Sequence, residues 1–313
     1  MYAYGADVGG SSVKIGFAEV SGTEINLIRR FEIKTNTENA GETILKDLAL
    51  AIDKDIVENG LTKDMIAGAG IGVPGPVLPD GTVNRCINLG WGVFNVEQEF
   101  SNLCGLKTRA GNDANVAALG EMAFGAGRGY EDLVMVTLGT GIGGGIVLGG
   151  RIFKGSTGAG GEIGHMHVND AESEPCTCGN YGCLEQYASA TGIVRLYESK
   201  IGRGGMMSLS GMTGLTCKDV FANAKSGNGK AMAAIDDAAD YLGKALANVA
   251  AVVNPQIFVL GGGVMNEDGM MLEKIRESFK KYAFHACRKA KIEKAQLGND
   301  AGIYGAAFLA TLG

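Results

Sequence analysis

The chain has 313 residues, 46% of them apolar, enough for one large domain or two ordinary ones with real cores. Its net charge of −6 argues against a nucleic-acid partner, but not against a phosphate ligand, because backbone N–H groups bind phosphate without a basic surface. There is no run of about 18 apolar residues and no basic stretch leading into an apolar one at the N-terminus, so a cytoplasmic protein without signal peptide or membrane span is expected.

Residues 2–34 read as strands, with Val13, Ile15 and Phe17 on one face and Ile25, Leu27 and Ile33 continuing the pattern. Gly9-Gly10 between the first two runs signals a hairpin. Ile44, Leu48, Ile52 and Ile56 recur at helical spacing over 41–59, and the apolar run 66–73 is a short strand stopped by Pro74-Gly75-Pro76. After Asn112 the pattern restarts: a helix over 116–124, a strand over 132–138, a second glycine turn over 139–145 and a return strand over 146–148. DVGGSSVKIG and LGTGIGGGIV thus open two similar α/β halves, which predicts a duplicated architecture with a cleft between the halves. Ile235, Ala239, Leu242, Leu246, Val249 and Val253 predict a long helix over 230–253, ended by Asn254-Pro255. A strand over 256–260 runs into Gly261-Gly262-Gly263, and a glycine- and alanine-rich last helix, 302–312, is expected to pack tightly. The segment 202–216 is the candidate flexible loop, and no linker separates independent domains. The 51 glycines have no period and cluster between apolar runs, which fits tight turns or close approach of backbone to a ligand.

Five constellations carry chemistry. In Asp7-Val-Gly-Gly-Ser-Ser-Val-Lys14, Gly9 and Gly10 expose N–H groups, Ser11 and Ser12 add hydroxyls, Lys14 adds a cation, and Asp7 could hold hydrated Mg²⁺; an ordinary hairpin with a capping aspartate is the other reading. The 138–145 segment has the G-x-G-x-x-G spacing of dinucleotide folds, but a strand follows where that fingerprint needs a helix, so a phosphate-clasping hairpin with Thr140 and Gly141 fits better. Asn112-Asp113 precedes a helix, where the aspartate is either an N-cap or a general base. His165 with Cys176, Cys178 and Cys183 makes a Cys₃His set for a structural zinc, helped by Gly179 and Gly182. Glu162 and Glu185 flank that set and are either surface glutamates or, with the imidazole, ligands for vicinal hydroxyls. The remaining cysteines read as scattered thiols, and His167 and His285 as ordinary residues.

These motifs resemble, in order and from about Tyr4 to the C-terminus, those of the ROK family (repressors, open reading frames and sugar kinases). DVGGSSVKIG, GVPGPV at 72–77, INLGW at 87–91, GNDANVAALGE at 111–121, LGTGIGGGIV, GEIGH with CTCGNYGCLEQYAS, and NPQIFVLGGGV carry the likeness. The resemblance implies an α/β, actin-like (ribonuclease H-like) sugar-kinase fold of two lobes, here 1–111 joined by 299–313, and 112–298. It implies ATP-dependent phosphorylation of a hexose, glucose first, with mannose, fructose or an N-acetylated amino sugar as alternatives and a non-catalytic sugar sensor as a rival. Asp113 would be the general base. Gly75, Asn88, Asn112, Glu162, His165 and Glu185 would hold the sugar, and His165, Cys176, Cys178 and Cys183 the zinc. Asp7, Gly9, Gly10, Ser11, Ser12, Lys14, Thr140, Gly141 and Gly262 would surround ATP and Mg²⁺. Ser11 stands where the family more often has threonine, which keeps the hydroxyl. A homo-oligomer, dimer or tetramer, is expected. A family repressor would need an N-terminal helix-turn-helix, for which the chain has no room before its first strand.

Overall fold

The computed structural model describes residues 1–21, 24–202, 214–267 and 269–312; of the expected flexible loop, residues 203–213 lie outside the described residues. The chain runs β1 (Tyr2–Val8), β2 (Ser12–Ser21), β3 (Glu24–Lys34), α1 (Ile44–Glu58), β4 (Ile66–Val73), β5 (Thr82–Cys86), β6 (Trp91–Asn95), α2 (Val96–Cys104), β7 (Thr108–Asn112) and α3 (Asp113–Phe124). It continues with β8 (Leu133–Leu138), β9 (Ile142–Leu148), β10 (Arg151–Ile152), α4 (Glu185–Ala188), α5 (Ala190–Lys200), α6 (Cys217–Lys225), α7 (Gly229–Val253), β11 (Ile257–Gly261), α8 (Met270–Tyr282), β12 (Lys291–Lys294) and α9 (Ala301–Leu309). The fold divides into two compact units: Met1–Leu133 with Gly145–Gly161 and Gln296–Gly313, and Val134–Gly144 with Glu162–Ala295.

The two larger sheets repeat one plan. Their orders are β3-β2-β1-β4-β7 and β10-β9-β8-β11-β12, so in each the first strand is central, with the second and third on one side and two later strands on the other. The first hairpin pairs Asp7 with Lys14 across its turn, and β1 also pairs in parallel with β4. β1 is thus an inner strand and is buried along almost its whole length, whereas edge strand β3 alternates. Ile44, Leu48, Ile52 and Ile56 of α1 are all buried as their spacing predicts. α7 buries Ile235, Leu242 and Leu246, and Asn254 closes it in the left-handed region before Pro255.

Glycine is what lets α9 lie against the first sheet. A Cβ on Gly5 would stand 2.2 Å from the Ile303 carbonyl, one on Gly70 1.8 Å from that of Ala306, and one on Gly305 1.8 Å from that of Val116 in α3. These are backbone-to-backbone contacts with no flexible atom to give way. Gly305→Ala is therefore expected to cost about 3 kcal/mol or more, as overpacking of a buried helix contact does, and to lower the melting temperature clearly. A thermal melt matching wild type would mean that α9 can shift.

Two expectations shift at their edges. The return strand after the second glycine turn begins at Ile142, not at 146, because strand glycines give the neighbouring helix room: a Cβ on Gly145 would meet the Ala114 carbonyl at 2.4 Å. The helix expected from 116 starts at Asp113, because Asn112 caps it.

Candidate active site

In the first unit, β7 ends on Asn112 and α3 opens with Asp113. Asn112 Oδ1 accepts from the Asn115 N–H at 3.2 Å, so the capping that either residue could have supplied falls to Asn112. Asp113 Oδ1 accepts from the Ala114 N–H at 2.7 Å and from Asn112 Nδ2 at 3.0 Å, which orients its carboxylate. Asn112 Nδ2 also reaches the Gly75 carbonyl at 3.4 Å, and the Cys86 thiol donates to Pro74 O at 2.9 Å. Gly75, Asn112 and Asp113 thus form one cluster. Asn88 stands exposed on the turn that follows Cys86.

The first glycine turn is closed by the Gly9 N–H donating to Ser12 O at 3.0 Å. Thr35 locks it from the neighbouring strand end, its hydroxyl donating to Gly9 O at 2.6 Å and its N–H to Ser11 O at 3.0 Å. Gly10 and Ser11 are exposed at the tip. Burial pushes the Asp7 carboxyl above the usual range, with Lys14 opposing; a divalent cation beside it would favour the ionised form. Gly302, in the first turn of α9, makes room for that carboxylate, since a Cβ there would lie 2.8 Å from Asp7 Cγ.

In the second unit, one ligand atom from each of His165, Cys176, Cys178 and Cys183 lies within 4.8 Å of the others. Cys178 and Cys183 Sγ are 3.6 Å apart, and Cys176 Sγ is 3.8 Å from His165 Nδ1. Zn–S bonds of about 2.3 Å in a tetrahedron set sulfurs roughly 3.8 Å apart, so this donor set fits a tetrahedral ion. Burial and the neighbouring thiols push Cys183 up to about 12, a crowding that a cation relieves. Nδ1 is the His165 nitrogen that faces the sulfurs, which leaves Nε2 for another partner.

Glu185 joins this cluster to the second glycine turn. Its Oε1 accepts from the Cys176 thiol at 3.1 Å and the Thr177 hydroxyl at 2.8 Å; its Oε2 accepts from the Ile142 N–H at 3.4 Å. A Cβ on Gly141 would stand 2.6 Å from that Oε2, so glycine there is a requirement of the glutamate's seat. Thr140 O accepts from the Thr191 hydroxyl at 2.8 Å, and Gly139 O from the Ala190 N–H at 2.8 Å, which ties the turn to the start of α5. Gly262, at φ 88°, backs onto the same turn, where a Cβ would meet Leu138 O at 2.4 Å. Glu162 is exposed just before the single 3-10 turn Ile163–His165. The dinucleotide-fold reading of 139–144 ends here, because these glycines lead into β9.

A model of the ROK family matches residues 3–312. The chain belongs to the ROK family. A glucokinase from Halalkalibacterium halodurans is 39% identical over 313 residues, covering 97% of this chain and 93% of its own. A ROK hexokinase from Thermus thermophilus matches with TM-score 0.83 at 30% identity over 99% of this chain and 97% of that one. A ROK-family glucokinase from Streptomyces griseus, solved in complex with glucose and AMPPNP, matches with TM-score 0.76 at 31% identity over the whole of both chains. The repeated five-stranded plan is the actin-like fold of the ROK sugar kinases. No helix among the described residues is long and apolar enough to cross a membrane.

Sequence reasoning missed the residues that brace the site of this ROK protein. Thr35 had no local signal. Glu172 binds Arg195 at 2.5 Å and takes the Tyr187 hydroxyl at 2.5 Å, and Tyr187 OH also accepts from Asn169, so the loop before Cys176 is fastened to α4 and α5. Burial alone would raise the Glu172 carboxyl, but Tyr187, the Glu174 N–H and Arg195 hold it at about 2, below its usual 4.5. A carboxyl so depressed stabilises the fold above the unfolded value and loses that contribution as pH falls from 4.5 towards 2. Stability should therefore drop in this window by on the order of 2–3 kcal/mol from Glu172. Glu172→Gln, compared with wild type in acid denaturation, should flatten that slope; an unchanged slope would show that Glu172 does not brace the loop. His167, read as ordinary, props the same loop through Tyr181 O and Asp170, both at 2.8 Å.

Proposed function

We propose that this chain transfers the γ-phosphate of ATP to a hexose hydroxyl, converting glucose to glucose 6-phosphate. The observation that carries the reading is Asp113, a carboxylate fixed by Ala114 and Asn112 at the opening of a helix, in a chain 39% identical along nearly its whole length to a glucokinase. In the first unit, Asp113 takes the proton from the sugar hydroxyl as its oxygen attacks phosphorus. Asn112, Gly75 and Asn88 hold sugar hydroxyls beside it. Gly9, Gly10, Ser11, Ser12 and Lys14 receive phosphate oxygens, with Asp7 holding the water shell of Mg²⁺. In the second unit, Glu162, His165 Nε2 and Glu185 bind sugar hydroxyls, and Thr140, Gly141 and Gly262 line the nucleotide. Zinc on His165, Cys176, Cys178 and Cys183 would supply rigidity only, since the four ligands fill a tetrahedron. The rate then comes from positioning and charge stabilisation, without a covalent intermediate.

A coupled spectrophotometric assay with ATP and Mg²⁺ over glucose, mannose, fructose and N-acetylated amino sugars tests this. Glucose is expected to give the highest kcat/KM. A higher value for an amino sugar would reassign the substrate, and no turnover of any hexose would favour a sugar sensor.

A further inference from the structure

β7 is an edge strand, and it ends at Asn112, next to the candidate base Asp113. An edge strand leaves alternate N–H and C=O groups without a ladder partner. On β7, Ala110 turns both of its groups outward, and both are met by charged side chains. Its N–H donates to Glu97 Oε1 of α2 at 2.8 Å, and its carbonyl accepts from Lys154 Nζ at 3.1 Å. Lys154 Nζ donates a second bond to Leu78 O at 3.3 Å, in the loop that begins with Pro74-Gly75-Pro76. One ammonium therefore ties that loop to the strand two residues before Asn112.

Lys154 is itself held. Its carbonyl accepts from the Gly160 N–H at 2.9 Å, and Gly160 O accepts from Asn115 Nδ2 at 3.3 Å, in α3 behind Asp113. Gly158 rests on Val77, where a Cβ would come within 2.9 Å of backbone. Burial lowers the pKa of the ammonium, with Arg109 adding to that shift and Glu97 and Asp80 opposing it. Half-burying a lysine against two carbonyls costs desolvation that a surface lysine avoids.

We propose that Lys154 is a positioning residue for the sugar-binding part of the first unit, setting the Gly75 loop against the strand end that presents Asn112 and Asp113. The inference rests on the proposed sugar-kinase reading. Lys154→Met keeps the stem and removes the donors; Lys154→Arg keeps donors. Steady-state kinetics and hydrogen–deuterium exchange on the full chain, with wild type in parallel, give two independent readouts. In Lys154→Met the KM for glucose should rise roughly tenfold while that for ATP stays within about twofold, as expected for loss of two charge-assisted bonds on one side of the site only. Amides of 75–78 and 110–113 should exchange faster, with the rest of the chain unchanged, and the arginine variant should recover most of both effects. Unchanged glucose KM and local exchange would overturn the proposal. So would an equal rise in both KM values with faster exchange throughout, the mark of general destabilisation. If the methionine variant does not fold, Lys154→Gln is read by the same measurements. If wild type phosphorylates no hexose, the functional reading falls, while exchange at 75–78 and 110–113 still decides whether Lys154 sets the loop.

Discussion

Asp113→Asn is expected to lower kcat by about 10²–10⁴-fold while leaving the dissociation constant for glucose within a few-fold of wild type. Hydrogen bonds from the Ala114 N–H and Asn112 Nδ2 help orient the side chain, and both go to Oδ1. An amide oxygen can accept the same two bonds, so the substitution keeps shape and orientation. What it removes is the ability to take the proton of the attacking hydroxyl. The cap of α3 belongs to Asn112 and is untouched, so the fold should melt as wild type does. Binding can be read without turnover from the emission of Trp91, the single tryptophan, which donates to Gly41 O and follows the 87–89 turn. A variant with near-wild-type kcat would show that another group is the base. Weak glucose binding together with low kcat would give Asp113 a binding role instead.

Loss of the metal is expected to weaken sugar binding and stability together while sparing ATP. Cys178 is the exposed ligand, whereas Cys176 and Cys183 are buried, so Cys178→Ser disturbs packing least and reports on the metal. Removing one of four zinc ligands should raise the KM for glucose by about 10-fold or more, with a smaller change for ATP, and lower the melting temperature by roughly 10 °C. The coupling has a specific route. Cys176 donates to Glu185 only as a thiol; as a zinc thiolate it would have no proton to give, so metal loading would leave Thr177 as the donor to Oε1 and open a lone pair there for a sugar hydroxyl. His165 Nδ1 bound to the metal likewise fixes Nε2 as an N–H donor. Elemental analysis should find one zinc per active chain. Metal-free protein with an unaltered glucose KM would separate the metal from the sugar, whatever the family.

The sequence by itself determined what depends on neighbours along the chain. The glycine turns, the helical spacing of α1 and α7, and the Cys176–Cys183 cluster with His165 are short-range patterns, because a turn, an amphipathic face or a metal knot is built from residues a few positions apart. The order of the motifs was enough to indicate the ROK family and its fold. Only the tertiary structure decided the contacts that hold those pieces in register. Glu185 seated over Gly141, Thr35 locking the first turn, Gly5 and Gly70 admitting α9, Glu172 bracing the loop before Cys176 and Lys154 bridging Ala110 to Leu78 all join residues far apart in sequence. A lone threonine, glutamate or lysine has no period or spacing to betray it. Its role exists only once the fold brings an unsatisfied backbone group or an opposite charge within hydrogen-bond reach.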